Sequence, residues 1–199
     1  MIGFWTLVAS AYLLGSVPFG LLIGRLAAGR DVRKTGSGNI GATNVARTAG
    51  KAWGILTLLA DGLKGAAPVW LALALWPGRP ELAHWVGLAV MTGHCFSLYL
   101  GFKGGKGVAT ALGVFLILAP KAVGLGVAVF VLAVALTKRV SVGSLTAVVA
   151  VFGGIWYLGA RGSALAASGL MILLIFIRHW ANILRLAKGE ESRFSFGPG

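Results

Sequence analysis

Carboxylates are nearly missing from this chain. Five Asp and Glu stand against 18 Lys and Arg in 199 residues. That scarcity excludes the paired carboxylates of glycoside hydrolysis and the acidic clusters of two-metal catalysis. The single cysteine, Cys95, has no partner for an internal disulfide and says little about redox compartment. His84, His94 and His179 lie far apart in sequence, so no metal centre is expected, and no cofactor is expected either.

Long polar stretches are lacking too. With 57% hydrophobic residues and a mean hydropathy of +0.87, the chain cannot be an ordinary globular domain. It reads as an all-α polytopic membrane protein, one integral-membrane domain over residues 1–199. The net charge of +13 raises nucleic acid as a partner, but the basic residues form small groups between apolar runs rather than one basic face. Anionic headgroups or anionic substrates fit better. Residues 2–24 lack the basic start and cleavage site of a secretory signal, so they are expected to stay as a first span.

Seven apolar runs are expected to cross the membrane as helices: 2–23, 53–76, 82–100, 108–119, 122–137, 142–158 and 163–177. The fourth and fifth are each near or below the ~20 residues that hydrocarbon requires. They are read as short helices joined at Pro120-Lys121, with one long kinked helix as the alternative. In the first run Gly20 and Gly24 make a GxxxG face, and Pro18 should bend the helix or free a carbonyl. In the second, Asp61 and Lys64 sit one turn apart, where each offsets the cost of the other's charge; the pair is either structural or borders a polar pocket. After the last run, Arg178, Arg185 and Lys188 alternate with Ile183, Leu184 and Leu186, as in a short interfacial helix.

Two glycine-rich intervals separate the runs. The first, residues 29–54, sets Ser37, Asn39, Thr43 and Asn44 among Gly36, Gly38 and Gly41, with Arg33, Lys34, Arg47 and Lys51 around them. The second holds Lys103, Gly104, Gly105, Lys106 and Gly107. Glycines let the backbone turn tightly and offer N–H groups to an anion, and Arg and Lys add charge-assisted hydrogen bonds. The second loop looks like the end of a phosphate-binding loop. The GxxxxGK[ST] pattern fails, because Gly107 stands where Ser or Thr belongs and no strand precedes it, so nucleotide hydrolysis is not expected. The plainer alternative is that both loops only carry charges that orient the chain.

Charge decides the orientation. On the seven-span reading only Arg79, Lys121 and Arg161 fall on one side and Lys64 lies inside a span; the rest of the 18 basic residues share the other side. That side is cytoplasmic, with the N-terminus outside and the C-terminus inside. Both glycine-rich loops and the start of the tail at Arg178-His179 then converge on one face. Such a set suits phosphate or acyl phosphate. An anion transporter or channel is the competing class, since it too places glycine breaks and cations within a bundle. Charges gathered at one face, without an inverted repeat, argue against it.

Taken together, Ser37-Gly-Asn-Ile-Gly-Ala-Thr-Asn44 with Arg47, Asp61-Gly-Leu-Lys-Gly65, Gly93-His94, Gly104-Gly-Lys-Gly-Val-Ala-Thr110 and Arg178-His179-Trp-Ala-Asn-Ile-Leu-Arg185 with Gly189-Glu190 closely resemble the bacterial acyl-phosphate-dependent glycerol-3-phosphate acyltransferases of the PlsY family. The motifs come in the family's order over nearly the whole chain. The resemblance implies a seven-span bacterial inner-membrane enzyme with a cytoplasmic active site, moving an acyl chain from acyl phosphate to the 1-hydroxyl of sn-glycerol 3-phosphate. It implies catalytic roles for Ser37, Arg47, Lys106, His179 and Asn182. Phosphate and substrate binding is implied for these and for Gly38, Asn39, Gly41, Thr43, Asn44, Lys103, Gly104, Gly105 and Gly107. Asp61 and Lys64 are expected to support the site as an ion pair. Whether His179 or the substrate's own phosphate accepts the proton stays open. Partners implied are the two substrates and membrane lipid, contact with the enzymes that form acyl phosphate and that acylate next, and a monomeric state. The HxxxxD motif of other acyltransferases is absent, as the family requires: five residues after His84, His94 and His179 stand Ala89, Tyr99 and Leu184. Ile40 and Ser97 depart locally, since proline is frequent at both places.

Overall fold

In hydrocarbon no water meets the backbone, so an apolar run must close its hydrogen bonds within itself as a helix. The computed structural model describes residues 2–193, and every regular element among them is helical. In order these are α1 (Ile2–Ser16), α2 (Phe19–Ala28), α3 (Ala42–Ala49), α4 (Lys51–Leu75), α5 (Glu81–Cys95), α6 (Val108–Leu118), α7 (Pro120–Thr137), α8 (Val140–Tyr157), α9 (Gly162–Arg178) and α10 (Trp180–Ala187). Short 3-10 turns lie at Val32–Lys34 and Leu98–Leu100.

The expectation of seven spans is corrected. Among the described residues, four stretches are long and apolar enough to cross a membrane: Ile2–Ala28, which joins α1 and α2, then Lys51–Leu75, Pro120–Thr137 and Val140–Tyr157. A fifth is reached if α9 and α10, bent by 56° at their junction, count as one. The runs at 82–100 and 108–119 yield helices of 15 and 11 residues. Those rise only about 22 and 16 Å, against a hydrocarbon core of about 30 Å. Both are cut short for local reasons. α5 ends at Cys95, and residues 96–100 turn toward the second glycine loop. α6 stops at Ala119 (φ −151°), because the residue before a proline is driven out of the helical region. The break at Pro120 was expected and the stop at Cys95 was not, and in both places a run too short to span had been counted as a crossing. The multi-pass membrane character stands.

α4 packs on α5 and α6, α5 receives α1 and α9, and α7 pairs with α8. The main core gathers Val69, Val86, Val90, Met91, Val114, Met171 and Ile175, all buried. The break that Pro18 makes between α1 and α2 frees the Val17 carbonyl, which accepts a 2.7 Å hydrogen bond from Lys64 Nζ. Lys64 is also 2.9 Å from Asp61, with both side chains 2% exposed. The ion pair of the second span therefore closes the gap in the first.

The GxxxG face of α2 meets mainly the first loop, with Thr57 of α4 beside Gly20. Gly20 backs onto the Ile40 carbonyl and Gly24 onto the Val32 side chain, so closely that a Cβ at either position would collide. Leu21, Ile23, Val32, Ile40 and Val45 make a second apolar cluster that seats the first glycine loop. Ser97 has a physical reason as well: its hydroxyl donates to the Ser16 carbonyl at 2.5 Å, a bond proline cannot make.

Candidate active site

The first loop is built around one side chain. Asn44, 2% exposed, accepts the Ser37 N–H on Oδ1 at 2.8 Å. Its Nδ2 donates to the carbonyls of Val32 (2.8 Å), Asn39 (2.8 Å) and Thr35 (3.2 Å). All its polar capacity goes into holding the loop. Asn39 does similar local work, its Oδ1 accepting the Gly41 N–H at 2.8 Å. The chain then enters α3 at Gly41, a helix hidden from sequence reading by the surrounding glycines. Thr43 and Arg47, four residues apart, share the α3 face that meets the pocket, where Ser37 joins them.

The second loop is tied down by its backbone. Gly104 N–H donates to Cys95 O at 3.2 Å and Gly105 N–H to His94 O at 3.0 Å. From α9, the Arg178 guanidinium donates Nε–H to Gly105 O (3.0 Å) and an Nη2 hydrogen to Gly104 O (2.7 Å). His94 lies under Gly105 with Nδ1 3.6 Å from Asp61. Lys106 is thereby delivered to the pocket. Burial is the main reason its ammonium pKa drops to about 8; Arg185, Arg178 and Arg47 add to the drop and Glu191 opposes it.

The bend between α9 and α10 supplies the third wall. His179 and Asn182 are both buried. The Ile175 carbonyl can only accept, so His179 Nδ1, 2.8 Å away, donates to it, and a neutral ring then keeps its lone pair on Nε2. Asn182 Nδ2 donates to Glu191 Oε1 at 2.6 Å, and Arg185 Nε to Oε2 at 2.8 Å. Burial pushes the Glu191 carboxyl up, but these bonds outweigh it and hold it below the ordinary glutamate range.

These three walls enclose a pocket of about 190 Å³. Of the residues singled out from sequence, Ser37, Asn39, Gly41, Thr43, Asn44, Asp61, Arg47, Lys106, Gly107, His179 and Asn182 line it. Gly38, Gly104 and Gly105 stand behind the wall as turn and packing positions, Lys64 lies beneath Asp61, and Lys103 is exposed outside the pocket. Sequence reading missed Arg185 and Glu191 as lining residues, together with Ser141 and Ser144 of α8 and the apolar Leu58, Val108, Ala109, Phe130 and Val140. The rarity of acids was the available signal for Glu191. Among the described residues, no three of His, Cys, Asp and Glu come together. Arg47, Lys106 and Arg185 outnumber the two lining carboxylates, Glu191 and Asp61, and Asp61 is already paired with Lys64, so the pocket favours anions, and multiply charged ones most.

Comparison with known proteins agrees with this geometry. A family model described as glycerol-3-phosphate acyltransferase matches residues 5–189. A glycerol-3-phosphate acyltransferase of Trichlorobacter lovleyi is 53% identical over 191 residues, covering 96% of each chain. The crystal structure of PlsY (YgiH), an integral membrane glycerol 3-phosphate acyltransferase, in its glycerol 3-phosphate form superposes with a TM-score of 0.93 at 39% identity, over 97% of this chain and 96% of that one. Its lysophosphatidic acid form gives 0.89 at 38% identity, over 98% and 96%. On sequence and on structure alike, the chain belongs to the PlsY-type glycerol-3-phosphate acyltransferase family.

Proposed function

We propose that this chain transfers an acyl group from acyl phosphate to the 1-hydroxyl of sn-glycerol 3-phosphate. The hydroxyl oxygen forms the new ester bond to the acyl carbon, and the bond from that carbon to the phosphate oxygen breaks. The hydroxyl proton leaves, in net terms, on the released phosphate. The products are 1-acylglycerol 3-phosphate and inorganic phosphate. The observation that carries this reading is the pocket's mixed lining: the cations Arg47 and Lys106 share it with the apolar Leu58, Val108 and Phe130.

Each substrate likewise joins a phosphate to a part that must meet the acyl carbon. Arg47 and Lys106, with Ser37, Thr43 and the backbone N–H of Gly107, hold the phosphates and steady the charge of the tetrahedral intermediate, while Gly41, whose N–H is taken by Asn39 Oδ1, shapes the loop. His179 and Asn182 orient the glycerol hydroxyl, contributing proximity. Asn44, Asn39, Gly38, Gly104 and Gly105 act through the backbone they shape. The acyl chain leaves the pocket past the apolar residues of its lining, toward Leu58, which is 39% exposed. The N-terminus lies outside, and because residues of both glycine-rich loops line one pocket, both loops lie together on one face, which the basic residues around it favour as the cytoplasmic face of a bacterial inner membrane. The chain acts as a monomer, and its lipid-soluble donor and product favour contact with the enzymes before and after it.

Donor choice tests the reading. Purified protein offered acyl phosphate, acyl-CoA or acyl-carrier protein with glycerol 3-phosphate should form lysophosphatidate from acyl phosphate alone. Equal product from acyl-CoA would overturn it. Cysteine labelling that finds residues 30–50 outside would reject the orientation.

A further inference from the structure

We infer that Arg178 is a positioning residue that sets the second glycine loop for phosphate. The inference rests on the acyl-transfer reading and deepens it. The Arg178 guanidinium takes two successive carbonyls, Gly104 O at 2.7 Å and Gly105 O at 3.0 Å, from 74 and 73 residues away in sequence. The planar fork of an arginine matches two such acceptors at once. Its other side rests over the Phe96 ring, 5.5 Å from the centroid. The guanidinium is thus held by a ring on one side and spends its donors on backbone rather than on the pocket, which it does not line.

The consequence follows from peptide geometry. In a planar trans peptide the N–H points opposite to the carbonyl. Pinning Gly105 O on Arg178 therefore turns the Lys106 N–H away from Arg178, on the loop side where Lys106 and Gly107 line the pocket. Among the described residues, the amides of Lys106 and Gly107 have no backbone acceptor, whereas those of Gly104 and Gly105 do. Arg178 thus fixes which loop amides stay available for an anion and sets the direction from which the Lys106 side chain starts.

The test uses the full-length protein in detergent, with KM and kcat measured separately for glycerol 3-phosphate and acyl phosphate. Arg178→Lys keeps the charge but cannot fork across two carbonyls. It is expected to raise KM for one of the two substrates roughly tenfold, with kcat changed less than about threefold. Added guanidinium ion should restore KM in Arg178→Gly. A folded Arg178→Lys with both KM values at wild type, or with kcat lowered at unchanged KM, overturns the inference. If Arg178→Lys does not fold, Phe96→Leu decides: removing the ring should raise the same KM, and an unchanged KM counts against the clamp. The wild type in the same assay keeps the two readings apart. A folded wild type without product defeats the acyl-transfer reading, while an active wild type with an indifferent Arg178→Lys defeats only the clamp.

Discussion

Replacing Asn44 by alanine removes the tie of the first loop, and the structure sets the size of the effect. Four contacts go: the 2.8 Å bond from Ser37 N–H, and the Nδ2 hydrogens shared among the carbonyls of Val32, Asn39 and Thr35. A lost bond that strands a buried partner costs ~1–3 kcal/mol, and one whose partner is rescued by water costs less. The Val32 bond is buried and the others partly so, which gives about 2–4 kcal/mol in all. The loop is seated on its own apolar cluster, separate from the main core. The loss should therefore appear as loop disorder, with little change in melting of the helical bundle. Ser37, Thr43 and Arg47 lose their alignment together, so kcat/KM should fall roughly 30- to 1000-fold, at tenfold per 1.4 kcal/mol. The assay is lysophosphatidate formation by purified protein, with thermal unfolding in the same detergent. Asn44→Asp is the sharper control, since it keeps the acceptor for Ser37 and loses both donated hydrogens. Activity within about threefold of wild type in a folded Asn44→Ala would refute the reasoning.

Further outcomes follow from other parts of the fold. Lys106 binds anions only while protonated. With its pKa lowered to about 8, phosphate affinity should hold below that value and weaken as pH rises through it, and binding above pH 8 should take up a proton. KM measured from pH 6.5 to 9.5 checks this, and a flat profile contradicts it. Lys64→Met strands Asp61 in the bundle and leaves the Val17 carbonyl only the Phe19 N–H, at a cost of about 3–5 kcal/mol, so the melting temperature should fall sharply, whereas Asp61→Asn with Lys64→Met should recover part of it. Gly24→Val drives a side chain into Val32 and should lower activity through the first loop, read as faster hydrogen exchange over residues 32–45.

The features legible in sequence were those with local causes. Apolar runs marked the helices, and the dense glycines marked two loops whose cations meet at one pocket. The Asp61–Lys64 pair was visible from its spacing because a helix places i and i+3 side by side. Span number was not legible, because hydropathy does not register where a helix ends inside an apolar run. α5 stops at Cys95 on account of a turn, not of polarity; the break at Pro120 was read from the sequence, but the short helix before it was still counted as a crossing. α3 was hidden for the opposite reason: eight residues of ordinary propensity lie between Gly41 and Gly50, and packing on α4 sustains them. What Arg178 and Glu191 bind was beyond reach, since their partners, Gly104 and Gly105 for one and Asn182 and Arg185 for the other, are set by the bend after α9 and the return of the tail.

The most direct test of the central claim is simultaneous product counting. Wild-type protein given acyl phosphate and glycerol 3-phosphate should yield lysophosphatidate and inorganic phosphate in equal amounts, and Arg47→Ala and Lys106→Ala should abolish both while remaining folded. Phosphate release without lysophosphatidate, or glycerol 3-phosphate flux into liposomes without either product, would contradict it.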